Sequence, residues 1–140
     1  MQDITLFIQN HMLLCLALIA VLFVLVIVEF INQKRATKQL SAVQATQLIN
    51  RSNAAVVDIR APASYSAGHI IGAISAPLSE LKEKIKKLEK FKSQPIVIVC
   101  ASGIESPRAS AILIADGFDV HILAGGIRSW TDADMPLVKD

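Results

Sequence analysis

The segment Pro95-Ile96-Val97-Ile98-Val99-Cys100-Ala101-Ser102-Gly103-Ile104-Glu105-Ser106 is where this 140-residue chain could carry covalent chemistry. Its β-branched half reads as a buried parallel strand that stops at a cysteine. Small residues and one glycine follow, and from Ser106 a helical pattern sets in with Ala109, Ile112 and Leu113. Strand, loop and helix in that order aim successive backbone N–H groups and a helix amino terminus at one small concavity. Both favour negative charge, so the position favours the thiolate of Cys100, the form that attacks electrophiles. Lone cysteines in apolar runs are more often small core residues. Placement at the carboxyl end of a strand, where open α/β sheets hold their sites, favours the nucleophile here.

A nucleophile so placed needs a sheet to hold it, and the residues after 40 predict one. About a hundred residues remain there, an ordinary single-domain size. Ser41 and Gln44 form a capping-box pattern that opens a helix to about Asn50. Residues 54–59 read as a strand ending in the charged pair Asp58 and Arg60, and residues 72–76 as a shorter one. Ser79 begins a helix with Leu81, Ile85 and Leu88 at core spacing. The helix from Ser106 is closed by Gly117, a carboxyl-terminal glycine cap. Residues 120–123 form a further strand, and Gly125-Gly126-Ile127 leads into a last helix carrying Trp130. Strands alternating with helices predict an α/β fold, an open parallel sheet with helices on both faces.

The first forty residues are of another kind. Every residue from 12 to 28 is apolar, and Phe30 and Ile31 extend the run past Glu29. At 1.5 Å per residue, twenty residues cover roughly 30 Å, the thickness of a bilayer's hydrocarbon core. No polar face interrupts the run, so residues 12–31 read as a transmembrane helix. A cleaved signal peptide would carry Lys or Arg before the apolar stretch, and residues 1–11 have neither. Lys34, Arg35 and Lys38 flank the carboxyl end of the run. Basic flanks stay inside, so residues 1–11 are expected to be a short extracytoplasmic terminus and the rest cytoplasmic. Residues 32–39 read as a basic linker that spans at most about 25 Å. It holds the domain, residues 40–140, close to the lipid bilayer. Cys15 lies in the apolar run, so the two cysteines offer no disulfide framework, which agrees with a reducing compartment.

Four motifs in order make residues 41–136 resemble the rhodanese (thiosulfate sulfurtransferase) family in its single-domain form. Asp58-Ile59-Arg60 is similar to the family's D-x-R strand end, and residues 65–73 to its Y-x-x-G-H-I-x-G-A segment. Cys100-Ala101-Ser102-Gly103 resembles the start of its C-x-x-G-x-R active loop, and residues 125–130 its closing G-G-I-x-x-W. The resemblance implies a rhodanese-like sheet. It also implies that Cys100 takes a sulfane sulfur as a persulfide and hands it to a nucleophile, with residues Ala101, Ser102, Gly103, Ile104, Glu105 and Ser106 cradling it. A transmembrane helix ahead of one such domain resembles a bacterial inner-membrane arrangement. The departure is at position 105, where the family's loop carries arginine and this chain has Glu105. That disfavours thiosulfate as the preferred donor. Related phosphatases and arsenate reductases resemble C-x-x-x-x-x-R, and here Ser106 stands in the arginine's place.

Other polar residues have competing readings. Asp58 and Arg60 either orient the active loop and polarise a substrate or form a structural network at the strand end. His69 is more readily a structural residue of its turn than an acid or base. His121 reads as exposed and Trp130 as a core anchor. Six lysines between 82 and 92 alternate with Glu80, Glu83 and Glu89, a pattern of solvated helix faces that anionic lipid could also meet. The net charge of +2 gives no ground for a nucleic-acid partner. No metal or cofactor is expected, because no histidine–cysteine cluster or phosphate-binding glycine loop is present. Two functions remain: a membrane-anchored sulfurtransferase or persulfide carrier with a protein or small-molecule sulfur donor and acceptor, or a non-catalytic adaptor of the same fold. Cys100, Ser102 and Gly103 favour the first, and Glu105 the second.

Overall fold

The computed structural model describes residues 1–35 and 37–139; Ala36, Asp140 and the side chains of residues 32–35, the basic Lys34 and Arg35 among them, lie outside the described part. The chain divides into two units, Met1–Ala36 and Thr37–Asp140.

The first unit is helical. Helix α1 (Gln2–Asn10) precedes α2 (Met12–Arg35), and residues Met12–Ile31 are long and apolar enough to cross a membrane. The His11 N–H donates to the Phe7 carbonyl at 3.0 Å, and the His11 carbonyl accepts from the Cys15 N–H at 3.0 Å. Helical hydrogen bonding is thus carried across the junction. The sequence reading left residues 1–11 without structure. Ile4, Phe7 and Ile8 recur at helical spacing there, which is the signal that reading passed over.

The second unit is a five-stranded sheet in the order β1 (Lys38–Leu40), β5 (Val120–Leu123), β4 (Ile96–Val99), β2 (Ala55–Asp58), β3 (Ile74–Ser75), with every pair parallel. Alternation along the strands divides the core between its two faces. Val57, Ile59, Ile96, Ile98 and Cys100 pack with Leu81 and Leu88 of α5 (Leu81–Leu88) and with Ala109 and Leu113 of α6 (Ser106–Ala115). Val56, Val97, Val99 and Leu123 pack with Ala42 and Ala45 of α3 (Ala42–Ser52) and with Trp130 of α7 (Gly126–Asp132). Helices therefore cover both faces, as the fold class required.

Local signals explain most of the elements. The Ser41 hydroxyl accepts from the Gln44 N–H at 3.2 Å and the Gln44 side chain accepts from the Ser41 N–H at 3.0 Å, closing the capping box of α3. Gly117, at φ +90°, donates to the Ile114 carbonyl at 3.0 Å and ends α6. Three features differ from the sequence reading. Lys38–Leu40, assigned mostly to the linker, pairs with His121, Ile122 and Leu123 as an edge strand too short and too polar to register as one. His121 is not exposed as expected: its side chain is 12% accessible and its Nε2 lies 3.3 Å from Asp119. The helix expected from Ser79 begins as a 3-10 turn, Leu78–Glu80, before α5, with the Glu80 N–H donating to the Pro77 carbonyl at 2.9 Å.

Candidate active site

Cys100 follows β4 directly and is in phase with Ile96 and Ile98, which turns its side chain toward the α5–α6 layer. It is 1% exposed, so a reactant reaches it only through a cavity. The chain then curls through residues 101–105 into α6, and the Gly103 N–H donates to Cys100 Sγ at 2.8 Å.

The rest of the loop is oriented by α7. The carbonyl of Cys100 accepts from the Ile127 N–H at 2.8 Å and that of Ala101 from the Arg128 N–H at 3.3 Å, satisfying two donors at the start of that helix. In a planar trans peptide the N–H lies opposite the carbonyl, so the N–H groups of Ala101 and Ser102 turn away from α7. Among the described residues, the N–H groups of Ala101, Ser102, Ile104 and Glu105 donate no hydrogen bond within the chain. A loop with that many free donors is suited to stabilise charge gathering on a bound sulfur.

Two glycines let α7 approach this closely. Gly125 and Gly126 have φ of +74° and +62°, a conformation that side chains disfavour. A Cβ on Gly126 would overlap the Cys100 carbonyl oxygen and stand 2.9 Å from the Ala101 carbonyl carbon. Gly103, at φ +91°, sits against Gly125 in turn, 3.1 Å from its nitrogen for an added Cβ. Gly125-Gly126, legible in the sequence as the entry to a helix and as the start of the G-G-I-x-x-W motif, forms the floor beneath the nucleophile's loop. Consecutive glycines before a helix were the available sign.

Behind the cavity wall, Asp58 is fully buried, and its carboxylate accepts from the Arg60 N–H at 3.0 Å, Nε at 3.0 Å and Nη2 at 2.7 Å. Arg60 Nη2 also donates to the Gly68 carbonyl at 2.7 Å. Each partner is thereby satisfied, and the arginine's charge is offset before it meets the cavity. Asp58→Ala would leave that guanidinium buried without its counter-ion. Such a break costs about 3–5 kcal/mol. Chemical unfolding of the full-length protein is expected to show a loss of that order, and a loss below about 1 kcal/mol would remove the pair from its structural role.

Arg60, Cys100, Ala101, Ser102, Ile104 and Glu105 line one cavity of about 290 Å³, together with Ala61 and Ser64. The structure thus gathers most of the residues singled out from sequence. Gly103 serves through its N–H, and Asp58 stands behind Arg60. Ser106 is fully buried at the first turn of α6, outside the lining, and among the described residues its hydroxyl has no hydrogen-bond partner. Ala61 and Ser64 were missed. They belong to the start of α4 (Pro62–Ala67), whose signal was a proline at the first helical position. His69 is buried, stacks on Tyr65 with ring centroids 3.9 Å apart, and bridges Val138 through its backbone. It is not among the residues lining the Cys100 cavity, in keeping with a structural role. Trp130 is buried and its Nε1 donates to the Pro136 carbonyl at 3.0 Å, as a core anchor would.

The model of the rhodanese-like domain matches residues 41–133. This chain belongs to the rhodanese-like family. It is 34% identical over 141 aligned residues, 99% of each chain, to the "Uncharacterized protein YibN" of Escherichia coli (strain K12), so the likeness runs through the apolar helix as well. It is 39% identical over 99 residues to the "Thiosulfate sulfurtransferase GlpE" of Pseudoalteromonas translucida (strain TAC 125), covering 70% of this chain and 92% of that one. The crystal structure of a rhodanese-related protein from Thermoplasma volcanium superposes with a TM-score of 0.67 at 31% identity, over 74% of this chain and 99% of that one. In this rhodanese-like domain the cavity wall carries one carboxylate, Glu105, and one arginine already paired with Asp58.

Proposed function

We propose that the protein is a membrane-anchored sulfurtransferase or persulfide carrier in which Cys100 is the nucleophile. The observation that carries this reading is the geometry around Sγ: a cavity-lining sulfur held by the Gly103 N–H, at the start of a loop whose other N–H groups, among the described residues, donate no hydrogen bond within the chain. The Cys100 thiolate attacks the outer sulfur of a donor R–S–SH. The donor's S–S bond breaks, a new S–S bond forms on Cys100, and R–S⁻ leaves. A nucleophile then takes the outer sulfur from the Cys100 persulfide and regenerates the thiolate. Because the lining has no unpaired cation and one exposed carboxylate, donors without a dianionic head suit it better than thiosulfate. A second reading, an adaptor of the same fold at the membrane, is favoured by Glu105 alone. Turnover separates the two. Full-length protein in detergent should transfer sulfur from cysteine persulfide to cyanide, and Cys100→Ser should lose at least about 99% of that rate, the usual scale for removing an essential nucleophile. Equal rates for the two proteins would remove Cys100 from the chemistry.

The anchor follows from α2, whose side chains in Met12–Ile31 are all exposed apart from a half-exposed Cys15, save that Glu29 interrupts an otherwise apolar surface. With Lys34, Arg35 and Lys38 at its carboxyl end, the reading is a single pass through a bacterial inner membrane, residues 1–11 outside and the rhodanese-like domain in the cytoplasm. A phosphatase reporter that works only outside the membrane, fused after Asp140, is expected to be inactive. Activity of that fusion would reverse the topology.

A further inference from the structure

The cavity over Cys100 does not end at Glu105. That residue also lines a second cavity of about 480 Å³ with Leu78, Lys82, Arg108 and Ile112. Lys82 and Ile112 line a third, of about 580 Å³, with Ile85. Neighbouring hollows share lining residues, Glu105 between the first two and Lys82 with Ile112 between the last two, so a row of them runs between α5 and α6 from the Cys100 cavity. From Glu105 to Asp116 the groove follows α6 for eleven residues, roughly 16 Å at 1.5 Å each. That is the length of about five residues of extended chain. A small sulfur donor would occupy only the first cavity, so the remainder of the groove has no use in reacting with one.

Its chemistry selects an occupant. Leu78, Ile85 and Ile112 give it a half-buried aliphatic floor. Lys82 and Arg108 stand on opposite walls, both exposed, and among the described residues neither forms an ion pair or a side-chain hydrogen bond. By contrast Lys84 is held by Glu80 at 3.0 Å and Lys92 by Asp116 at 3.4 Å. Two free cations over an apolar floor complement a segment in which acidic and aliphatic residues alternate. Two carboxylates also line it: Glu105 at the end beside Cys100, where the partner's cysteine would enter, and Asp116 at the far end, which Lys92 engages at 3.4 Å.

Resting on the sulfurtransferase reading above, we infer that the α5–α6 groove docks the donor protein, taking an extended acidic–aliphatic segment next to the donor's persulfidated cysteine. The persulfide's outer sulfur passes to Cys100 by the same displacement, and the donor leaves as a thiolate.

The test uses full-length protein in detergent and three donors: cysteine persulfide, and two short synthetic peptides with an amino-terminal cysteine persulfide followed by leucine alternating with glutamate or with lysine. Gain of one sulfur on Cys100 is followed by mass spectrometry. The glutamate peptide is expected to react with kcat/KM at least about tenfold above the lysine peptide, a difference of 1.36 kcal/mol. The double variant Lys82→Glu, Arg108→Glu is expected to reverse that order while its rate with cysteine persulfide stays within about twofold, which also reports that it is folded. Equal rates for the two peptides, or an order that the double variant leaves unchanged, would overturn the groove as a docking site while the cysteine persulfide rate upholds the sulfurtransferase. Failure of all three donors with the native protein would overturn both.

Discussion

Glu105→Arg is expected to raise kcat/KM for thiosulfate by at least about tenfold over the native protein, with a smaller gain for Glu105→Gln. Two unit charges about 5 Å apart at an effective dielectric of ~20 interact by roughly 3 kcal/mol, and a dianion feels twice that. Glu105 lines the cavity over Cys100 but is exposed, so solvent and salt screen much of the repulsion. The amino terminus of α6 supplies only ~0.3–2 kcal/mol in return. Arg60 cannot make up the difference, because Asp58 already binds it at 2.7 Å. Even half of one unscreened charge pair exceeds the 1.36 kcal/mol that changes a rate tenfold. The gain should shrink as salt is added. Steady-state thiosulfate:cyanide kinetics on the three full-length proteins measure it. Strong native activity toward thiosulfate, or no response to the arginine, would show that loop charge does not choose the donor.

Gly126→Ala is expected to reduce sulfur transfer by about a hundredfold or more, the scale of a misplacement near 1 Å in a catalytic group. The new Cβ would overlap the carbonyl of Cys100 itself, and backbone there cannot swing aside as a side chain could. The left-handed conformation adds about 1–2 kcal/mol of strain. Gly117→Ala separates the two effects. Gly117 also has a positive φ, +90°, but an added Cβ meets nothing within 4 Å. That variant should lose stability of the same order from strain while keeping its transfer rate. If both variants lose activity alike, the close approach of α7 to the loop is not what positions Cys100.

The parts of this molecule that were legible in the sequence are those with local causes. The four β-branched residues before Cys100, the capping box at Ser41 and the cap at Gly117 each specify their element within a few residues, and the structure has them where the pattern put them. What escaped depends on residues far apart in the chain. Lys38–Leu40 is a strand only because β5 lies beside it, eighty residues later. Ser64 reaches the cavity because α4 follows the Asp58–Arg60 turn, and Gly126 reaches Cys100 because β5 delivers it there. Ser106, which the resemblance places in the cradle through its backbone, is the first residue of α6 and turns its side chain inward.

The central claim is that Cys100 carries the transferred sulfur. Full-length native protein and Cys100→Ser, each treated with cysteine persulfide and freed of excess donor, can be digested and mapped by mass spectrometry. The native protein should carry one extra sulfur on the peptide containing Cys100, lost on treatment with dithiothreitol, and none on the peptide containing Cys15. A dithiothreitol-labile sulfur retained by Cys100→Ser, or found at Cys15 in place of Cys100, would contradict the account.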